Sequence, residues 1–268
     1  MSRLGPLRAA LVLAPDFDAA LAVYRRDLGL ACGAVARLDI AQAAALALPT
    51  LAGHRHCRLS SGNGQDWLHL VDVPGAVRRS PLTRHGWMAL EVLVADPDAL
   101  VARLGPEWTV LGAPANLELS PAIRAAQVLG PSGELYYFTA IKAEVPPFAL
   151  PLSGNDVDGP FVAVLGSADR NASCAAWESL TGVEAWRFET RVTVLNRALG
   201  RPPDTRTPLA VLQLAGRCLI EIDEVAGIDT PPMTGLEAGL HLIQISGDGT
   251  RSGLWTGPSG ERVCLVDA

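Results

Sequence analysis

The sequence predicts an α+β protein assembled from four related modules, each reading strand, helix, then two or three strands. Two observations carry the repeat. The string Gly130-Pro131-Ser132-Gly133-Glu134 runs into an apolar stretch, and Gly257-Pro258-Ser259-Gly260-Glu261 does the same 127 positions later. A Gly-Pro-x-Gly turn feeding a strand is ordinary hairpin chemistry, since Pro presets one φ angle and Gly accepts positive φ. Asp16, Tyr24 and Gly29 are also matched by Asp169, Trp177 and Gly182 at a constant offset of 153. Such spacing points to internal duplication, so equivalent positions can be compared within one chain.

The modules fall near residues 5–75, 84–141, 159–226 and 237–268. In the first, the apolar run Ala9 to Leu13 predicts a strand, and Asp16 then caps a helix that Gly29 ends. Phe17, Ala20, Leu21, Tyr24 and Leu28 share one face of that helix. The third repeats the pattern from Phe161 to Leu165, with Asp169 as cap. Trp67–Val73 matches Leu219–Val225 at an offset of 152, which puts His69 and Glu221 at the same place. Gly86-Trp87-Met88-Ala89-Leu90 matches Gly239-Leu240-His241-Leu242-Ile243, opening the second and fourth modules. The fourth is shortened, with its helix lost or minimal. Asp39–Leu48 and Val192–Leu199 read as extra short helices. The Pro- and Gly-bearing segment 145–159 divides an N-terminal unit, 1–144, from a C-terminal unit, 160–268. Shorter connectors are expected at Gly75–His85 and Ala226–Gly235.

The bulk properties narrow the class. A chain of 268 residues, 49% hydrophobic, has ample material for such cores. A net charge of −6 without any run of Lys or Arg argues against nucleic acid and anionic membranes as partners. No apolar stretch of roughly 20 residues could span a bilayer, so a cytoplasmic protein is expected. The five cysteines lack zinc-type spacing. The partners expected are a small-molecule substrate and, at most, a second copy of the chain as a homodimer.

The string Asp16-Phe17-Asp18-Ala19-Ala20-Leu21-Ala22-Val23-Tyr24-Arg25-Arg26-Asp27-Leu28-Gly29-Leu30 closely resembles the first-helix signature of the vicinal oxygen chelate (VOC) superfamily. That superfamily includes glyoxalase I, bleomycin-resistance proteins and extradiol dioxygenases. The two Gly-Pro-Ser-Gly-Glu turns resemble its last-hairpin motif. The resemblance spans nearly the whole chain as four βαβββ modules. It implies two U-shaped mixed sheets with helices outside, each closing around a pocket, and metal ligands on the first and last strands of paired modules.

Carried over position by position, the resemblance puts Ala9, Met88, Val162 and His241 in the first-strand slots. His69, Tyr137, Glu221 and Cys264 take the last-strand slots. If modules pair 1 with 2 and 3 with 4, Glu221 and His241 meet in a C-terminal pocket, with Cys264 beside them. If 1 pairs with 4, His69, His241 and Cys264 converge instead. The sequence leaves both pairings open. A divalent Fe, Mn, Ni or Zn ion would want about three such ligands, and the set is incomplete enough that the metal could be absent. Glu221 is the candidate general base or ligand, and His241 the candidate ligand or acid/base group. Tyr137, Met88 and Trp177 are candidate pocket-lining residues, although large apolar side chains such as Trp67, Trp87 and Trp177 more often build core. Glu91 and Gln244 lie three residues beyond the first-strand slots, and a solvated sheet face is expected for them. His54 and His56 alternate in the second strand and would share one face.

The expected function is a VOC-type enzyme with lyase or isomerase chemistry on a small oxygenated or aromatic metabolite. Alternatives are a metal-free binding protein like the bleomycin-resistance proteins, or a ring-cleaving dioxygenase.

Overall fold

The computed structural model describes residues 4–152, 154–228, 236–249 and 251–267. The first module comprises β1 (Leu7–Ala14), α1 (Phe17–Asp27), β2 (Ala31–Cys32), β3 (Ala36–Arg37), α2 (Ile40–Ala45), β4 (Arg55–Ser60) and β5 (Asp66–Asp72). The second comprises β6 (Gly86–Val94), α3 (Pro97–Arg103), β7 (Thr109–Asn116), β8 (Ile123–Leu129) and β9 (Leu135–Ile141). In the third, β10 (Val157–Ser167), α4 (Arg170–Thr181), β11 (Trp186–Thr190), α5 (Thr193–Ala198), β12 (Thr207–Gln213) and β13 (Leu219–Glu224) follow in order. Among the described residues the fourth has β14 (Gly239–Ser246), β15 (Gly253–Thr256) and β16 (Arg262–Val266). Most of the connector expected at Ala226–Gly235 lies outside the described residues.

Each long helix starts as the sequence dictates. Asp16 accepts from the Ala19 amide, and Asp169 from the Ala172 amide, each satisfying an amide that helix geometry orphans. Gly182 ends α4 with φ of 69°, a left-handed conformation that glycine adopts without penalty. The two Gly-Pro-Ser-Gly-Glu turns are equivalent in detail. Gly130 N donates to Glu134 O at 2.7 Å, and Gly257 N to Glu261 O at 2.9 Å. Each Glu carboxylate then folds back on the turn, accepting from the Ser132 and Ser259 amides, both at 3.0 Å.

The sheets do not follow the division of the chain into 1–144 and 160–268. One sheet runs β15-β16-β14-β1-β5-β4-β2, with β3 beside β4, and unites the first module with the fourth. The other runs β11-β12-β13-β10-β6-β9-β8-β7 and unites the second with the third. Each is seamed by an antiparallel pair of first strands, β1 with β14 and β10 with β6. Both sheets are mixed and curled. The cause is geometric: two modules related by a seam of first strands make one continuous sheet, and either partner module can supply the second half.

Strand alternation sends one set of side chains to each face. The convex faces and the long helices share a single core, where Leu68, Leu90, Val92, Ile220 and Ile243 meet Phe17, Tyr24, Leu100 and Trp177. The two short helices lie on the concave side instead. In the 1–4 sheet, Leu46, Leu48 and Leu51, at and beyond the end of α2, pack on Leu11, Leu13, Val71 and Leu242. That hollow is filled with leucine. In the 2–3 sheet, Val194 and Leu195 of α5 pack on the concave wall, but part of the hollow stays open.

Candidate functional site

The open hollow is a cavity of about 310 Å³ on the concave face of the 2–3 sheet. Its polar floor comes from two strands. On β6, Glu91 stands in register with Tyr137 of β9 and Val162 of β10. On β13, Glu221 stands in register with Val164 of β10 and Val211 of β12. Two residues along the same strand face, Asp223 lies behind Glu221 with no exposure. Gln127, Phe188, Leu209 and Arg191 complete the walls and mouth.

Carboxyl groups in such a place hold protons tightly, because charge loses its hydration on burial. Burial, reinforced by the Glu221 charge, pushes the Glu91 carboxyl up to about 8, even though Thr139 Oγ1 donates to it at 3.0 Å. Burial and Asp223 push Glu221 well above the carboxylate range, and burial raises Asp223 as well. Among the described residues no donor reaches either Asp223 carboxyl oxygen, and the Tyr137 hydroxyl also lacks a partner. A proton held between Glu221 and Asp223 would satisfy both carboxyls.

The other candidates lie elsewhere. His241 belongs to the 1–4 sheet and Glu221 to the 2–3 sheet, so the two do not meet. The reason is local as well as topological. The register of β14 slips between Leu240 and Leu242, and that of β6 between Trp87 and Ala89. His241 and Met88 are thus the extra residues of equivalent β-bulges, and a bulge re-aims its side chain. His241 faces a separate cavity, where its Nε2 meets Arg262 Nη1 at 2.9 Å. Met88 is fully buried.

His69 lies on the 1–4 sheet against His56, with Nε2 to Nδ1 at 3.0 Å. Burial, Arg58 and His56 push the His69 imidazole down to about 3, so it is neutral. His54 turns away from this pair, its Nδ1 on the Asp72 carbonyl at 2.6 Å. Cys264 belongs to the leucine-filled hollow, where burial raises its thiol. Trp177 has no exposure and packs edge-on to Trp87 and Trp255 in the shared core.

The bulges explain what the sequence reading missed. The slots implied by the resemblance fell at Met88 and His241. Once one residue is bulged out, Glu91 and Gln244 take the inward positions, and both are buried rather than solvated. One signal was present: Leu90, Val92 and Val94 are apolar without exception, which leaves the face bearing Glu91 to be the special one. Asp223 follows from Glu221 by period two.

No family model matches this sequence, and no curated protein matches it. Solved structures do. Glyoxalase I from Zea mays superposes with a TM-score of 0.62 at 15% identity, covering 97% of this chain and 92% of that one. Its V278E variant gives 0.64 at 14% identity, over the same shares of each chain. A putative dioxygenase from Bacillus subtilis subsp. subtilis str. 168 gives 0.62 at 12% identity, covering 99% and 86%. The fold is shared with these glyoxalase I and dioxygenase structures, as the sequence resemblance implies.

The sequence resemblance implies a divalent metal, and the donors here can be tested against one. Among the described residues no three His, Cys, Asp or Glu side chains come together in a geometry that could hold an ion. The residues as placed do not fit a metal, so no step below runs through one.

Proposed function

We propose that the 2–3 cavity binds a small oxygenated or aromatic metabolite and that the chain is an isomerase- or lyase-type enzyme acting by proton transfer. The observation that carries this reading is the pair Glu91 and Glu221 lining the hollow beside the Tyr137 hydroxyl, which has no partner among the described residues, with Asp223 buried next to Glu221 on the same strand face. A buried carboxyl whose ionised form is disfavoured is a stronger base once ionised than a solvated one, and so is suited to take and return a proton. In its ionised form Glu221 would take the proton from a carbon next to a carbonyl. The C–H electron pair passes into the enolate, and the Tyr137 hydroxyl donates to the oxygen where charge collects. Where that carbon bears a hydroxyl, return of the proton to the former carbonyl carbon, with the hydroxyl proton passing to the first oxygen and a carbonyl forming in its place, completes an isomerisation. Departure of a β-substituent with the electron pair completes an elimination. Phe188, Leu209 and Val194 form apolar wall suited to a flat or aliphatic body.

The test begins with a thermal-shift screen of oxyacids, ketones and catechols against the wild-type protein and Glu221→Gln. Hits are then incubated in D2O and followed by NMR. Deuterium entering a carbon position with the wild type, and at least a hundred-fold more slowly with Glu221→Gln, supports the reading. Tight binding with no exchange in either protein would make the chain a binding protein.

A further inference from the structure

A second cavity, of about 700 Å³, opens where the two sheets meet. Arg84, Trp87, Leu240, His241, Ser259 and Arg262 line it, from the starts of β6 and β14 and the β15–β16 turn. It shares no residue with the carboxyl-lined hollow. Its lining brings two guanidinium groups together with two carboxylates, Asp169 and Glu261. The Arg262 side chain donates through Nη1 to a neutral imidazole, His241, and forms no ion pair among the described residues. Burial, Arg262 and Arg84 push that imidazole down to about 4. Arg84 does pair with Glu237, at 2.8 Å, and donates to the Leu240 carbonyl, yet its Nε–H is buried with no partner among the described residues.

The nearby carboxylates are committed elsewhere. Asp169 accepts from the Ala172 amide, and Glu261 from the Ser259 amide and the Trp177 indole. Hydroxyls line the opposite side, where Ser259 Oγ bonds Ser173 Oγ at 3.1 Å and Ser173 bonds Ser167 at 2.8 Å. An arginine without a carboxylate and a second with an orphaned N–H, set across from a hydroxyl chain, form a cradle for a multivalent oxyanion. Planar forks of guanidinium donors match phosphate oxygens. The volume exceeds that of a bare ion, and Trp87 and Leu240 offer apolar surface for an organic body.

We propose that this inter-sheet cavity is a binding site for the phosphate group of a small phosphorylated metabolite, held by Arg262, Arg84 and Ser259. Calorimetric titration of the whole chain with inorganic phosphate and with glycerol phosphate tests it, with acetate at matched ionic strength as comparison. Saturable one-to-one binding of either phosphate is expected, weakened at least ten-fold in Arg262→Gln and unchanged in Glu91→Gln. Equal affinity in Arg262→Gln, acetate binding as tightly as phosphate, or no saturable binding of either phosphate would overturn it. If Arg262→Gln fails to fold, the wild-type His241 ring resonances decide. They should shift on phosphate addition while those of His69 stay still, and an unmoved His241 rejects the site.

Discussion

The Trp177 indole N–H donates to the Glu261 carboxylate at 3.0 Å in the buried core. Tyr24, its equivalent 153 positions earlier, donates its hydroxyl to Glu134, the equivalent of Glu261. In each case the helix of one module grips the turn of the next module in sequence, and these two belong to different sheets. Sheets thus unite modules 1 with 4 and 2 with 3, while helix-to-turn bonds tie 1 to 2 and 3 to 4. Every module is held by two partners through two different kinds of contact.

Trp177→Phe keeps an aromatic ring but loses the N–H donor with the pyrrole half of the indole, leaving a small void and a buried carboxylate short of one bond. A loss of about 1–3 kcal/mol is expected, because an unsatisfied buried acceptor forfeits its hydration. Urea denaturation of Trp177→Phe, Glu261→Gln and the double variant checks this. Additive single effects would show that the bond contributes nothing.

Glu91 should make the protein less stable as pH rises. Folding favours its protonated form, so its contribution is full below the ordinary value near 4.5 and is lost as pH rises through about 8. Glu91→Gln should flatten the fall in Tm across that window by several degrees. Parallel Tm-versus-pH curves for the two proteins would contradict the burial of this carboxyl.

His69 acts at the other end of the scale. Folding favours its neutral form, so its contribution is full above the ordinary value near 6.5 and is lost as pH falls toward about 3. His69→Gln should lose less stability than the wild type between pH 6.5 and pH 4, measured by the same melting curves.

Leu51 has no exposure and sits in the filled hollow of the 1–4 sheet. Leu51→Ala should cost about 2–5 kcal/mol, through lost transfer energy and the cavity left behind. A small apolar probe such as benzene should then restore part of the Tm of the variant and do nothing to the wild type.

Much of the architecture could be read from the sequence because it repeats. Repeated residues such as Asp16 and Asp169, or Gly133 and Gly260, report equal backbone needs, and caps and turns are local chemistry. The site was less legible. Module pairing rests on contacts between distant strands, and no local preference of β1 distinguishes β14 from β6 as a neighbour. One bulged residue at Met88 and one at His241 reversed the parity of each strand, which moved Glu91 from the expected outer face to the cavity floor. The filling of one hollow by Leu46, Leu48 and Leu51 also depends on where α2 docks, and a six-residue helix carries too little pattern to announce its partner.

The seam between β1 and β14 joins segments such as Arg8 and Ser246, which bond across 238 positions of chain. The 2–3 sheet, by contrast, closes over strands that follow one another without interruption from β6 to β13. Loop-closure entropy therefore orders assembly: the central sheet and its carboxyl-lined hollow can form early, while the outer sheet must wait for its two remote edges to meet. During that interval the apolar flank of β1 is an uncovered edge, and Leu46, Leu48 and Leu51, at and beyond the end of α2, give the unfinished half something to fold against until its distant partner strand arrives.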